Sequence, residues 1–141
     1  MEQDTCIFCN YEKKYVIKET NLAIAMYSPC AIKRGHFVVA IKEHLPTFTD
    51  IMPEQAKAVI ELALEISKCM EKLTTAEKTY LVAIGDSSLH FHMHLFPKLK
   101  TDVSIGTCIM TDNGWKGIVG QEISEHEVQI LINELRKKLN T

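Results

Sequence analysis

Three imidazoles stand at every second position of one short segment: His90, His92 and His94, within Leu-His-Phe-His-Met-His-Leu-Phe at residues 89–96. Half of the chain's six histidines are gathered there. In an extended chain successive side chains point to opposite faces. All three rings would therefore share one face, with neighbours ~7 Å apart. Phe91, Met93 and Leu95 would point the other way, into a core, and that apolar alternation supports a strand without any functional idea. Clustered imidazoles serve metal binding, acid–base work and nucleophilic attack. One straight strand wraps three ligands around a single ion only awkwardly, so a metal centre would draw on other parts of the chain. Cys6-Ile7-Phe8-Cys9 is such a part. Two thiols separated by two residues form the usual knuckle of a structural zinc site, although a redox pair or two buried thiols have the same spacing.

Positioning these groups requires a scaffold, and the chain supplies recognisable elements. Residues 22–28 and 36–42 read as strands, and Pro29 to Gly35 provides turn chemistry for an antiparallel connection. Asp50 and Pro53 open a helix, with proline near the first turn, where a missing N–H is tolerated. Ala56, Val59, Ile60, Ala63, Ile66, Met70 and Leu73 recur at helical spacing and are expected to face the core. Residues 79–85 and 89–96 read as two further strands joined by the short turn Gly85-Asp86-Ser87-Ser88. Ser124 and Glu127 form a capping-box signature. It leads into an amphipathic helix with Val128, Leu131, Ile132, Leu135 and Leu139 on one face. The expected class is α+β: an antiparallel sheet with one long crossover helix and a C-terminal helix. No repeat, low-complexity tract or linker divides the sequence, so residues 1–141 are expected to form a single domain.

Composition narrows the function. The chain has 141 residues, 46% of them hydrophobic, enough for a real core. Sixteen basic residues stand against 18 acidic ones, a formal net charge of -2, and no basic stripe marks a polyanion partner. Nucleic acid is therefore not expected, whereas a small phosphorylated ligand needs only a local site. The acidic start Met-Glu-Gln-Asp leads into no apolar stretch, and runs such as 37–41 are too short to span a bilayer. Five cysteines are an odd count, and only Cys6 and Cys9 are close in sequence. That pattern fits a reducing cytoplasm better than a disulfide framework, and a cytoplasmic location away from membranes is expected.

The motif His90-Phe91-His92-Met93-His94-Leu95-Phe96 resembles the signature of the histidine triad superfamily of nucleotide hydrolases and transferases. The likeness extends to the Cys-x-Phe-Cys, to Gly35-His36 opening a valine-rich strand, and to Lys42-Glu43-His44. The proline-led helix and Pro97-Lys98 match as well. The resemblance implies that His92 is the nucleophile that attacks the α-phosphorus of a nucleotide and forms a nucleotidyl-histidine, later hydrolysed by water. It implies that His94 contacts the phosphate and assists proton transfer to the leaving group. His36 would support the site, and Ser87 would touch the phosphate or leaving group. By the same resemblance Cys6, Cys9, His44 and His90 would bind a structural zinc as a closed Cys₂His₂ set, and no catalytic divalent metal is required. A homodimer is expected on the same ground.

The chemistry is consistent with those roles. Imidazole, with a pKa of about 6.5, is mostly neutral and nucleophilic near neutral pH, and a phosphorylated imidazole leaves readily. Flanking donors could stabilise charge on the phosphoryl oxygens. Two departures bear on specificity. The loop before the triad is short, and Asp86 stands where a neutral amide is common. Ser28, eight residues before His36, replaces the usual Asp or Asn that contacts the ribose. Trp115 is read as a core or interface anchor, with a cover over a bound base as the alternative. The expected activity is hydrolysis at the α-phosphorus of nucleoside phosphoramidates or dinucleoside polyphosphates. The alternatives are a nucleotidyltransferase with the same intermediate, or a zinc-stabilised nucleotide-binding protein with little turnover.

Overall fold

Two adjacent stretches of small and β-branched residues form the centre of the molecule. In the computed structural model, which describes residues 3–29, 31–86, 88–102 and 123–140, these are β2 (Ala23–Tyr27) and β3 (Phe37–Ile41). Every residue of both strands is buried, so both faces of this hairpin are covered. Ala23 lies opposite Ile41 and Tyr27 opposite Phe37, in antiparallel register. Each strand is one residue shorter at both ends than the sequence suggests.

The remaining strands complete a five-stranded antiparallel sheet. With β1 (Val16–Glu19), β4 (Lys78–Val82) and β5 (His92–Lys98), the order is β1-β2-β3-β5-β4. Helix α1 (Pro53–Thr74) carries the chain from β3 past the place that β5 fills and on to β4. It starts on Pro53, and the Gln55 side chain accepts the Met52 N–H at 2.7 Å, which satisfies a donor otherwise orphaned at the helix start. It ends where Thr75 turns left-handed at φ 55°. Helix α2 (Glu125–Leu139) begins as the sequence indicates, with the Ser124 hydroxyl accepting the Glu127 N–H at 3.1 Å. Its Arg136 donates to the carbonyls of Lys13 and Val16 and so ties the helix to the start of β1.

Both helices cover one face of the sheet. Ala25, Tyr27, Val39 and Leu95 point into a core filled by Val59, Leu62, Ile66 and Met70 of α1 and by Leu131, Ile132 and Leu135 of α2. The opposite face of β2 and β3, with Ile24, Met26, Val38 and Ala40, is covered by Cys6 and Phe8 of the N-terminal segment.

Three expectations are corrected. Ile60 is half-exposed and Leu62 is buried in its place. Ile60 lies about 100° around the helix from Val59, on the flank rather than on the 59–62–66–70 face. The strand expected at 79–85 ends at Val82, and the one expected at 89–96 runs from His92 to Lys98. The link between them is therefore residues 83–91, not a tight turn. Its end is drawn away from β4 because the Phe91 N–H donates to the Leu45 carbonyl at 2.7 Å. β1 was not expected; only Ile17 of its four residues is buried, so it carries no alternation to detect.

The β2–β3 connection is held against the end of β5. Gly35 has φ +84°, a Cβ there would come within 2.8 Å of Pro97 Cγ, and its N–H donates to the Tyr27 hydroxyl at 3.1 Å. Lys33 donates to the Pro97 carbonyl at 2.7 Å and pairs with Asp102. A Gly35→Ala variant is expected to lose about 2–4 kcal/mol, from the positive φ and the clash together. Urea denaturation with an unchanged m-value checks this, and wild-type stability would contradict it.

Candidate functional site

β5 presents its residues in two sets. Met93 and Leu95 pack into the core shared with the helices, while His92 and His94 pair across the sheet with Ala40 and Val38. The histidines thus share the sheet face that the N-terminal segment covers. His36, just before β3, joins them, and His90 lies before β5 begins. His36, His90 and His92 are buried at 3%, 0% and 6% exposure. Buried imidazoles need partners, and these have them. The His92 Nδ1–H donates to the His90 carbonyl at 2.7 Å, which leaves Nε2 as the nitrogen with a lone pair. His92 Nε2 lies 3.2 Å from His94 Nε2, His94 Nδ1 lies 2.9 Å from His36 Nε2, and the Ile32 backbone N–H donates to His36 Nδ1 at 3.2 Å. Phe96 packs against His36 with ring centres 4.2 Å apart.

Burial favours the neutral form of every ring. It lowers His36 to about 3, helped by the charges that His94 and His92 would carry, and lowers His94 to about 4, helped by His92. His92 is also lowered by burial, partly offset by its bond to the His90 carbonyl. Near neutral pH the site therefore holds a basic, uncharged nitrogen on His92 with its tautomer fixed.

The second cluster is built by residues distant in sequence. The ligating atoms of Cys6, Cys9, His44 and His90 all lie within 4.8 Å of one another. His90 Nδ1 is 3.3 Å from Cys6 Sγ, 3.5 Å from Cys9 Sγ and 3.2 Å from His44 Nδ1; Cys9 Sγ is 3.4 Å from His44 Nδ1. A tetrahedral Zn²⁺ with the usual Zn–S and Zn–N bond lengths has N–N and N–S edges of roughly 3.3–3.6 Å. The His90 Nε2–H donates to the Ile41 carbonyl at 2.6 Å, so Nδ1 faces the cluster with its lone pair, the outer-shell bond expected of a ligating imidazole. Burial, reinforced by neighbouring Cys6, pushes the Cys9 thiol up to about 11, so two thiolates here call for a cation. The donor set fits a structural zinc.

Phe8 joins the two clusters. It lies between the paired cysteines, is 3% exposed, and stacks on His92 with ring centres 4.5 Å apart at 29°. Its ring also lies 5.4 Å from that of His90. Phe8 is not among the expected site residues; its place inside the Cys-x-Phe-Cys is the only signal of it in the sequence. His92, Pro46, Phe48, Ile84 and Leu89 line a cavity of about 140 Å³. Ser28, at the end of β2, is buried and its N–H donates to the His36 carbonyl at 2.9 Å. Asp86 is exposed. Ser87 and Trp115 lie outside the described residues.

A family model described as HIT domain matches residues 10–101. An uncharacterised 16.1 kDa HIT-like protein of Mycoplasma pneumoniae is 31% identical over 117 residues, 77% of this chain and 80% of that protein. An adenosine 5′-monophosphoramidase of Schizosaccharomyces pombe is 23% identical over 145 residues, 96% of this chain and 98% of that protein. Among solved structures, a zinc-bound histidine triad family protein from Mycobacterium smegmatis has a TM-score of 0.73 at 17% identity, covering 99% of this chain and 96% of that one. At that identity the last likeness speaks for the fold.

Two predictions follow from these clusters. Purified protein should carry about one zinc per chain, and a Cys9→Ser variant should lose most of it together with about 3 kcal/mol or more of stability. Metal analysis and thermal unfolding decide this; full zinc in the variant would contradict the ligand assignment. His36 and His94 should show no imidazole titration by NMR above about pH 5. Above about pH 6.5 both are neutral whether folded or unfolded and cost nothing. As pH falls from there towards 4, the unfolded chain takes up protons that the folded site refuses. Stability should then fall with a slope on the order of 2.7 kcal/mol per pH unit from the two groups. An inflection near pH 6.5 for either ring would contradict this.

Proposed function

Since the chain belongs to the HIT domain family, we propose that it is a nucleotide hydrolase acting at the α-phosphorus of nucleoside phosphoramidates or dinucleoside polyphosphates. The observation that carries this is the fixed tautomer of His92, whose Nδ1–H is committed to the His90 carbonyl so that Nε2 holds the attacking lone pair. Attack by Nε2 forms a bond to the α-phosphorus and breaks the bond to the leaving amine or phosphate. The leaving group takes up a proton with the help of His94, 3.2 Å away. Water then attacks the nucleotidyl-His92, the P–N bond breaks, and the nucleoside monophosphate departs with His92 restored. His36 supports His94, Ser87 serves the phosphate or leaving group, and Ser28 serves the ribose. The S. pombe relative named as an adenosine 5′-monophosphoramidase supports this substrate class.

In this reading the whole chain, 1–141, acts as one domain, supported by the packing of α2 on α1 and on β1. Structural zinc occupies Cys6, Cys9, His44 and His90 and orders the face that bears His92, and no catalytic divalent metal is required. A homodimer is supported by β4, the edge strand of the sheet among the described residues, with Leu81 exposed on it, and by exposed Ile60 and Leu64 on α1. A cytoplasmic site of action is supported by Cys6, Cys9 and Cys69, none of which forms a disulfide among the described residues. No helix among the described residues is long and apolar enough to cross a membrane.

The test is AMP release from adenosine 5′-phosphoramidate. Wild type should turn over, and His92→Ala should lose at least ~10³-fold, about 4 kcal/mol of transition-state stabilisation. Product formation that depends on an acceptor other than water would make the protein a transferase. Nucleotide binding without turnover, on this substrate and on dinucleoside polyphosphates, would make it a binding protein.

A further inference from the structure

The imidazole of His92 is held at one edge and on one face. Its Nδ1–H is bound to the His90 carbonyl at 2.7 Å, which anchors an atom but not a plane. A carbonyl oxygen accepts over a broad range of directions, and the outer torsion of a histidine has no sharp minimum. The ring can therefore swing about its Cβ–Cγ bond and carry Nε2 with it. Phe8 is the ring that lies flat against His92, with centres 4.5 Å apart at 29°, whereas His94 stands at 80° to it.

Phe8 is attached to the sheet in an unusual way. Among the described residues no backbone–backbone hydrogen bond joins residues 3–10 to a strand. The N–H groups of Cys6, Cys9 and Asn10 instead donate within the segment, to the carbonyls of Gln3 and Cys6. Side chains make the attachment. Cys6 and Phe8 pack on Ile24, Met26, Val38 and Ala40, and the Cys6 and Cys9 sulfurs lie 3.3 and 3.5 Å from His90 Nδ1. Phe8 stands between the two thiols in sequence. Donors that close on one ion from Cys6, Cys9, His44 and His90 fix the backbone on either side of its ring.

We propose that Phe8 is a positioning residue that fixes the plane of the His92 imidazole, and that the Cys6 and Cys9 knuckle holds Phe8 in place when zinc is bound. An ion outside the reacting atoms then governs how well the nucleophile is aimed. The consequence for the reaction rests on the function proposed above. Attack on phosphorus requires the Nε2 lone pair to lie in line with the bond that breaks, and a misplacement of ~1 Å costs about 10²-fold in rate. Apolar packing alone leaves the Phe8 ring free to shift, whereas ligands on both sides of it do not.

The test reads the His92 Nδ1–H proton by side-chain ¹H–¹⁵N NMR near neutral pH. In zinc-loaded wild type it should give a sharp signal that exchanges slowly with water. Phe8→Leu keeps an apolar side chain without a flat ring. It should retain about one zinc per chain but broaden the signal by exchange. With adenosine 5′-phosphoramidate it should lower kcat about tenfold with KM within about twofold, and Phe8→Ala should lower kcat about 10²-fold. Removing zinc from wild type with a chelator should broaden the same signal while circular dichroism shows the sheet intact. A sharp signal and wild-type kcat in Phe8→Leu would overturn the role of Phe8. A signal unmoved by zinc removal would overturn the role of the knuckle. So would loss of the sheet itself, since zinc would then hold the whole fold rather than one ring. If wild type fails to cleave the substrate, the proposed function fails, and the spectra still decide the role of Phe8.

Discussion

β5 must satisfy two incompatible environments at once. Its Met93 and Leu95 enter a core shared with two helices, while His92 and His94 rise from the other face, where buried nitrogen atoms need partners. A strand can serve both only through its period of two, and a slip of one residue would exchange the two sets. The register is fixed from both sides, Phe37 against Leu95 on β3 and Leu81 against Leu95 on β4. The rest of the fold follows from this strand. α1 carries the chain across so that β5 can sit between β3 and β4, and the N-terminal segment returns to cover the imidazole face.

Neighbouring histidines present different nitrogens because their second nitrogens are engaged differently. His90 gives its Nε2–H to the Ile41 carbonyl and turns Nδ1 towards two thiols and His44. His92 gives its Nδ1–H to the His90 carbonyl and keeps Nε2. Two backbone carbonyls thus leave Nδ1 exposed to the thiols on one imidazole and Nε2 with the lone pair on the other, two residues apart. Phe8 supplies the physical contact between the two clusters, because the loop that bears the thiols also lays its ring on His92.

Much of this was legible in the residues themselves. The alternation at 89–96 located both the strand and its polar face, and Ser124 with Glu127 marked the start of the terminal helix to the residue. The gathering of the cysteine pair Cys6 and Cys9 with His44 and His90, expected from resemblance, is a tertiary fact that no local spacing contains, since the pair and the two histidines lie on three separate parts of the chain. Where the reading missed, the cause was tertiary as well. Ile60 and Leu62 are equally apolar, and only the placement of α1 on the sheet decides which is buried. β5 starts late because the backbone at Phe91 bonds to Leu45, a partner in no neighbouring element. β1 exists because β2 has an open edge, not because Val-Ile-Lys-Glu announces a strand.

The four candidate ligands are also separated in time. Cys6 precedes His90 by 84 positions and Cys9 precedes His44 by 35. At a synthesis rate of roughly 5–20 residues per second, about 4–17 s pass between making the first thiol and the last imidazole. Until His44 is made the nascent chain offers only two thiols, and from then until His90 is made it offers three of the four donors. The geometry that favours a tetrahedral ion arises only when Ile41 can accept from His90, after β3 and the start of β5 have met. The choice of metal therefore belongs to the finished sheet rather than to the cysteine knuckle that emerges first.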